Sequence, residues 1–351
     1  MPSDTPHHDA AQVALAPSRL RHVSLVRRIG DRPEVGAAIG LAVVWLFFAA
    51  VGGGSGFLTA RGTASYLDVA TQVGIIGTTV TLLLIGGEFD LSIGSMVGFS
   101  GMIIALGVTQ AGWPLWLSLL VALLFSLGYG WAVGTLVVRT GIASFIVTLG
   151  GLFLLRGATI GFSRTIANQP YIGGVRKAVG NDLLVRVFSG ELIPGLNAGF
   201  AWWLGIMAVG AVVLTRTRFG NWVLAAGGSP SAARASGVPV ARVKIILFMA
   251  VAASGTLLAA VQVLSIGSAD SFRGQGKEFE AAITAVIGGT SLAGGAGSII
   301  GTAIGALTLG VVRQGLFFAG VDFDWYQAVL GLMLLVAVLI NQRVRTKARR
   351  G

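Results

Sequence analysis

The chain has 351 residues, of which 54% are hydrophobic and only 11% are charged. A soluble globular domain carries about 25% charged residues, so this composition indicates a polytopic α-helical membrane protein. The chain contains no cysteine, which excludes disulfides and thiol-bound metals.

The net charge of +11 does not point to a nucleic-acid partner. The basic residues lie near the two ends and in one internal loop, between apolar segments, which is the distribution that membrane topology produces. All three histidines lie within the first 22 residues, which excludes a buried histidine relay or a histidine-bound metal. Residues 1–33 lack the apolar region of a signal peptide, so we expect a disordered, basic cytosolic tail.

Ten apolar segments are candidates for transmembrane helices, since about 20 apolar residues span a bilayer core. They cover residues 35–51, 67–86, 91–109, 114–138, 142–162, 200–214, 243–264, 281–292, 298–319 and 326–341. The eighth is short and interrupted by glycine, so we expect it to be half-buried or re-entrant. The sequence therefore predicts an all-α inner-membrane protein of about ten spans (eight to ten), with one transmembrane domain over residues 34–342.

The positively charged residues indicate the orientation. With both termini in the cytosol, sixteen Lys and Arg residues fall inside and seven outside, as the positive-inside rule requires. Both termini can be cytosolic only if the number of spans is even. Residues 343–351 are then a second basic cytosolic tail.

Two loops between the predicted spans are long. Residues 163–199 fall outside and are rich in turn-forming residues. Residues 215–242 fall inside and contain no acidic residue; Ser229-Pro230 and Gly237 predict the start and stop of a short helix there. That helix could dock a partner protein or belong to a solvated loop, and composition favours neither.

An acidic turn interrupts the apolar sequence at LIGGEFDLSIGS (84–95). Two carboxylates at mid-bilayer would each cost about 2.5–3.5 kcal/mol, so we expect Glu88 and Asp90 to lie at a turn on the inner face. Gly86 or Gly87 would end one helix in the left-handed conformation, and Asp90 would be the N-cap of a helix beginning at Leu91. The alternative is a functional turn that lines the path or touches a partner.

The same pattern recurs loosely later in the chain. IGGEFDLSIGSMVG (85–98) and IGGTSLAGGAGSIIG (287–301) share Ile-Gly-Gly followed by Gly-Ser-x-x-Gly. Internal symmetry of this kind is common in transporters, although glycine-rich turns can also resemble one another by chance.

Arg156 and Arg313 lie within predicted spans, each about six residues from the outer end. At 1.5 Å per residue that is roughly 9 Å, so we expect both guanidiniums to reach the membrane surface by snorkelling.

No catalytic constellation is present in the sequence. Gly274-Gln275-Gly276-Lys277-Glu278 has Glu278 where a phosphate-binding loop needs Ser or Thr, so it is not a Walker A loop. We therefore expect a transport protein that is not itself an enzyme and binds no metal or cofactor.

Four segments together resemble the permease subunits of bacterial ATP-binding-cassette (ABC) importers of the ribose, xylose and autoinducer-2 group. The segments are GGEFDLSIGS (86–95), SFIVTLGGLFLLRG (144–157), TRFGNWVLAAGGSPSAARASGV (217–238) and GQGKEFEAAITAVIGGTSLAGGAGSIIGTAIGA (274–306). They occur in the family's order from about residue 66 to residue 341. Glu88-Phe89 lengthens the acidic turn, Asn221 stands where the family usually has Arg, and Ser229 where it usually has Asn.

The resemblance implies the partners of the chain. A separate ATPase, which binds ATP and Mg²⁺, would dock on the cytosolic loop, and a periplasmic or lipid-anchored solute-binding protein would dock outside on 163–199 and 268–280. A second permease copy, identical or a sister chain, would complete a central path.

The candidate site residues form four groups, of which the resemblance implies the first three and the position of charges within predicted spans gives the fourth. The ATPase-coupling loop comprises Arg218, Phe219, Gly220, Gly227, Gly228, Ala232, Ala233, Arg234 and Gly237. The family-motif turn comprises Gly86, Gly87, Glu88, Asp90, Ser92, Gly94 and Ser95. The outer-side or gate motif comprises Gly274, Gly276, Glu278, Glu280, Gly288 and Gly289, and the in-span charges are Arg156 and Arg313.

The predicted function is therefore import of a sugar or sugar-like solute by a multi-pass bacterial inner-membrane permease, through alternating access driven by the ATPase. The alternative is an ion-coupled secondary transporter, which would need Glu88 or Asp90 to titrate near mid-membrane. A passive channel is a third hypothesis, but the sequence offers no charged ring or filter for it. Which sugar, polyol or signalling molecule is carried stays open.

Overall fold

The computed structural model describes residues 33–350, and the side chains of residues 34–339. The predicted tail at 1–33 lies, apart from Pro33, outside the described residues. The fold is helical, with four two- to three-residue strands, which confirms the predicted all-α membrane class. The last helix continues to Arg350, so the backbone of the predicted C-terminal tail is helical up to that residue.

The helices follow one another along the chain with short connections. They are α1 Pro33–Gly52, α2 Ala60–Ile85, α3 Ile93–Thr109, α4 Leu115–Thr140, α5 Ser144–Ala167, α6 Val175–Val179, α7 Leu183–Ser189, α8 Gly199–Arg216, α9 Arg218–Gly228, α10 Pro230–Ala235, α11 Val240–Ile266, α12 Lys277–Ile287, α13 Ile299–Phe318 and α14 Tyr326–Arg350. The strands are β1 Tyr171–Ile172, β2 Glu191–Ile193, β3 Leu196–Asn197 and β4 Ala269–Asp270.

Seven helices in the described part of the chain are long and apolar enough to cross a membrane. They are α1, α2, α4, α5, α8, α11 and α13, and two shorter apolar helices cover Ile93–Thr109 and Phe323–Leu339. Nine of the ten predicted spans thus have a counterpart. The eighth, 281–292, overlaps α12, whose eleven residues span only about 16 Å and cannot cross a 30 Å core alone.

The core lies where α2, α3, α11, α12 and α13 meet, because these helices bury most of their side chains. Small residues allow close approach there: a Cβ on Gly305 would overlap the backbone of Thr284. The outward faces of α1, α4, α5, α8 and α14 carry exposed apolar side chains, as expected of surfaces that meet lipid.

A two-stranded sheet joins the two segments that the sequence places outside. β1 pairs antiparallel with β4, with Tyr171 opposite Asp270 and Ile172 opposite Ala269. The Pro170 carbonyl also accepts hydrogen bonds from the backbone N–H of Ser271 at 3.0 Å and from its hydroxyl at 2.9 Å. Loop 163–199 and segment 268–280 therefore form one continuous surface.

Candidate functional site

The acidic turn ends α2 as the glycines predict. Gly87 has a φ of +80°, and the N–H of Gly86 donates to Leu82 O at 3.0 Å, that of Gly87 to Leu84 O at 2.9 Å, and that of Glu88 to Leu83 O at 3.1 Å. This is the glycine-terminated helix motif, in which a left-handed residue turns the chain back onto the last carbonyls.

The prediction that Asp90 is the N-cap of the next helix is wrong. The helix begins at Ile93, its N-cap position is Ser92, and Ser92 makes no side-chain capping bond. Asp90 Oδ1 instead accepts hydrogen bonds from Ser92 N at 2.7 Å and Ser92 Oγ at 2.6 Å. The carboxyl therefore closes an Asx turn before the helix starts. Burial raises the pKa of the Asp90 carboxyl to about 6.

Glu88 has a charged partner that the sequence does not indicate. Its carboxylate forms an ion pair with Lys244 in the first turn of α11, and both side chains are largely buried. In the sequence, Lys244 is only one of the basic residues of the predicted inner loop, because nothing local relates positions 88 and 244. The ion pair ties the acidic turn to the helix that follows the coupling loop.

The second Ile-Gly-Gly turn has the same backbone geometry as the first. The N–H groups of Gly288, Gly289 and Thr290 donate to the carbonyls of Thr284, Val286 and Ala285 at 3.0, 2.9 and 2.9 Å. Gly289 has a φ of +87°, close to that of Gly87. Since many helices end at glycine in this way, the agreement establishes similar turns rather than a duplicated segment.

The first turn and the loop that follows α12 meet the coupling loop at one place. The N–H of Gly295 donates to Ile85 O at 2.8 Å. A Cβ built on Gly294 would lie 2.8 Å from Gly227 O and 3.0 Å from Gly87 Cα, and one on Gly227 would overlap Ile85 O. We call the backbone contact of 85–88, 227–228 and 294–295 the glycine junction.

The coupling loop itself folds as two short helices, and the predicted one is confirmed. α9 is capped by Thr217, whose hydroxyl accepts from Gly220 N at 3.2 Å. α10 covers Pro230–Ala235 with Ser229 at its N-cap position, and Gly237 follows it with a φ of +80°.

The residues predicted for this loop divide between two faces. Gly220 and Ala233 are buried and Phe219 packs on the core, whereas Arg218, Gly228, Ala232, Arg234 and Gly237 are exposed. One side of the loop thus faces the glycine junction, and the residues on its other side are exposed.

The predicted outer-side motif is divided by the length of α12. Gly274 and Gly276, with φ values of +87° and +82°, shape the turn that precedes this helix. Gly288 and Gly289 follow its other end, beside the glycine junction. The six residues of the outer-side or gate motif therefore do not form one compact group, because α12 separates the two pairs by about 16 Å.

The snorkelling prediction for Arg156 is also wrong. The helix α5 ends at Ala167, eleven residues beyond Arg156, so the guanidinium lies about 16 Å from that end and near the helix midpoint. It meets a carboxylate instead: Arg156 Nη2 lies 4.0 Å from Glu278 Oε1. Gly94 makes room for this pair, because a Cβ there would overlap the Glu278 carboxylate.

Arg313 likewise has a partner within the protein. Its Nη1 lies 3.8 Å from Glu280 Oε1, and its guanidinium lies 5.2 Å from the Phe323 ring centroid and 5.4 Å from that of Tyr326. Lys277 Nζ donates to Glu280 Oε2 at 2.6 Å. We call Arg156, Lys277, Glu278, Glu280 and Arg313 the charge cluster.

A polar chain on the neighbouring helices was missed from the sequence altogether. Asp68 accepts hydrogen bonds from Asn197 Nδ2 and Gln72 Nε2, both at 2.9 Å, and Gln262 Nε2 donates to Gln72 Oε1 at 2.9 Å. The available signal was Asp68 and Gln72, one helical turn apart within the predicted span 67–86, since polar side chains in a span require polar partners.

Ser95 is the remaining member of the predicted turn motif. It is buried in the first turn of α3, and its hydroxyl has no hydrogen-bond partner among the described residues. Ser95 thus belongs to the surroundings of the charge cluster rather than to the turn at 86–92, since Gly94 beside it touches Glu278.

Comparison with known proteins gives these features a family context. Residues 62–338 match the model of the family described as "Branched-chain amino acid transport system / permease component". The autoinducer 2 import system permease protein LsrD of Klebsiella pneumoniae is 34% identical over 76% of this chain and 79% of its own length.

Two further relatives are similar over comparable lengths. The fructose import permease protein FruG of Bifidobacterium longum is 32% identical over 80% of this chain and 82% of its own length. The ribose import permease protein RbsC of Escherichia coli is 32% identical over 82% of this chain and 87% of its own length. No solved structure matches the chain.

Proposed function

The chain belongs to this family of transport permease components, and from that premise we propose that it is the membrane-spanning subunit of an ABC importer for a sugar or sugar-like solute, a pentose, hexose or polyol. It is a multi-pass protein of the bacterial inner membrane, and its relatives are transport subunits rather than enzymes. In our proposal, ATP and Mg²⁺ bind to a separate ATPase chain.

The observation that carries the proposal is the position of the coupling loop. On one side, Gly227 is in backbone contact with the turn that ends α2 and with Gly294–Gly295 in the loop that follows α12. On the other, Ala232 and Arg234 of α10 are exposed. A partner that pushes on α10 would thereby move both segments, because glycine contacts of this closeness leave no gap to absorb the displacement.

We propose that the partner at α10 is the ATPase. Arg218 and Arg234 stand exposed on α9 and α10, and the loop 215–242 contains no acidic residue. An acidic or hydrogen-bond-accepting surface on the ATPase would complement this face.

On the opposite side, the surface joined by β1 and β4 is our proposed contact for the solute-binding protein. Its two segments are held together by backbone hydrogen bonds, so they present a single surface to a docking protein. A second permease copy, identical or a sister chain, would complete the path.

The coupling assignment is tested by charge reversal. We expect Arg234→Glu to reduce co-purification of the partner ATPase by about tenfold while the chain still inserts, because exposed substitutions change stability by less than about 0.5 kcal/mol. Arg139→Glu is the matched control, since Arg139 is an exposed arginine at the end of α4. Equal ATPase recovery from both variants would contradict the assignment.

The transport mechanism is tested with membrane vesicles that contain the complex. We expect sugar uptake to require ATP and to stop with vanadate. Uptake that continues without ATP and collapses when a proton uncoupler is added would overturn the proposal in favour of an ion-coupled transporter.

A further inference from the structure

One aromatic side chain is exposed in the first turn of the otherwise buried helix α12. The side chains from Lys277 to Val286 are buried, apart from that of Phe279, which is 56% exposed. Among these residues, Phe279 is therefore the one whose side chain can contact a molecule outside the described part of the chain.

The neighbours of Phe279 follow from helix geometry. Successive residues of an α-helix are turned by about 100°, so Glu278 and Glu280 leave the helix on opposite flanks of Phe279. Glu278 meets Arg156 on α5, and Glu280 meets Arg313 on α13. Phe279 thus lies between two glutamates that pair with arginines, whose side chains stay 24% and 30% exposed.

The depth of this patch excludes ordinary lipid as its neighbour. Arg156 lies near the midpoint of the 24-residue helix α5, about 16–18 Å from its ends. Its side chain is 24% exposed, and its buried Nη2 has no hydrogen-bond partner among the described residues. An arginine at that depth is costly against hydrocarbon, and such residues almost always face a water-filled cavity or the inside of a bundle.

We infer that Phe279 lines the aqueous translocation path at mid-membrane, where its ring contacts the passing solute; this inference rests on the proposed function. An exposed aromatic ring can pack against the apolar C–H face of a sugar ring. The guanidiniums of these two arginines carry N–H groups that can donate to hydroxyl oxygens. The contact is open on one side, which suits a solute that must pass rather than remain bound.

The absence of cysteine from the native chain allows a direct test of water access. Phe279→Cys and the control Phe47→Cys would be labelled in vesicles containing the complex, with a charged, membrane-impermeant thiol reagent. Phe47 is 58% exposed on α1, so this control position matches Phe279 in residue type and in exposed fraction.

We expect Phe279→Cys to react about tenfold faster than Phe47→Cys in the resting or the vanadate-trapped complex, because the reactive thiolate forms in water and not in lipid. Attachment of the bulky reagent should also block sugar uptake. Equal labelling of both variants in both states, or full uptake by the labelled chain, would overturn the inference.

Solute contact is tested by two substitutions that keep the position filled. We expect Phe279→Leu to lower uptake of pentoses and hexoses about fivefold, and Phe279→Tyr to retain it, because only Tyr keeps the aromatic face. Equal uptake by both variants would remove the solute contact. If the wild-type complex takes up no sugar, the proposed function fails, whereas the labelling difference still locates the path.

Discussion

The two ends of α12 are held in opposite ways. At its N-terminal end, the charge cluster joins Glu278 and Glu280 to arginines on α5 and α13, and Lys277 pairs with Glu280. Beyond its C-terminal end, the glycine junction brings three backbones together with no side chain between them. Ion pairs hold the first end, whereas the junction is held by close packing and by the backbone hydrogen bond from Gly295 N to Ile85 O.

The difference indicates where movement can enter. At the junction only one backbone hydrogen bond would have to break, while a buried ion pair resists separation of its charges. The coupling loop meets Ile85 and Gly294–Gly295, and the latter lie seven and eight residues beyond the end of α12. A displacement at α10 would therefore first reach the end of α2 and the loop that follows α12.

The largest effect is expected from breaking the charge cluster. Glu280→Gln leaves Lys277 and Arg313 without their shared carboxylate, and an unpaired buried charge costs about 3–5 kcal/mol. We expect a clear loss of thermal stability of the full chain in detergent, measured by its melting temperature. The double variant Lys277→Met/Glu280→Gln should recover part of the loss; no recovery would mean that the pair itself contributes little.

The next effect tests the glycine junction by size alone. Gly227→Ala places a methyl group against Ile85 O and within 2.8 Å of Gly295 N, and overpacking of this kind costs about 1–3 kcal/mol. The matched control is Gly228→Ala, whose Cβ would meet Gly295 Cα at an ordinary 3.8 Å. We expect uptake to fall for the first variant only. Similar uptake by both would show that close contact at the junction is unnecessary.

A smaller effect is expected at the ion pair beside the junction. Glu88→Gln removes the charge that holds Lys244, and a charge-assisted hydrogen bond contributes about 1.5–3 kcal/mol, at the low end where water can reach it. A double-mutant cycle with Lys244→Met, read from melting temperatures, would measure the coupling. Strictly additive losses would contradict a direct interaction between the two side chains.

The smallest effect is expected at the Asx turn. Asp90→Asn keeps the oxygen that accepts from Ser92 and removes the buried charge, so it should cause no loss of stability at neutral pH. The wild-type pKa is raised from 3.8 to about 6, so the wild type should gain stability as the pH falls through 6 towards 4. The variant should lack this gain, and the same pH dependence in both would exclude Asp90 as its source.

The sequence alone determined the features that depend on local composition. Apolar length set the membrane class and the positions of nine apolar helices in the described residues, because a bilayer demands that length wherever a helix crosses it. Glycine and proline chemistry predicted the end of α2 at Gly86–Gly87 and the helix between Ser229 and Gly237, because left-handed turns and helix starts are properties of a few neighbouring residues.

Only the tertiary structure decided which distant residues meet. Arg156 with Glu278, Glu88 with Lys244, and Gly227 with Ile85 are each separated by more than 100 residues, and no local pattern relates them. The snorkelling prediction for Arg156 failed for a local reason, because α5 continues to Ala167, five residues beyond the predicted end of the span. Helix packing, rather than helix formation, created the charge cluster, the glycine junction and the open position of Phe279.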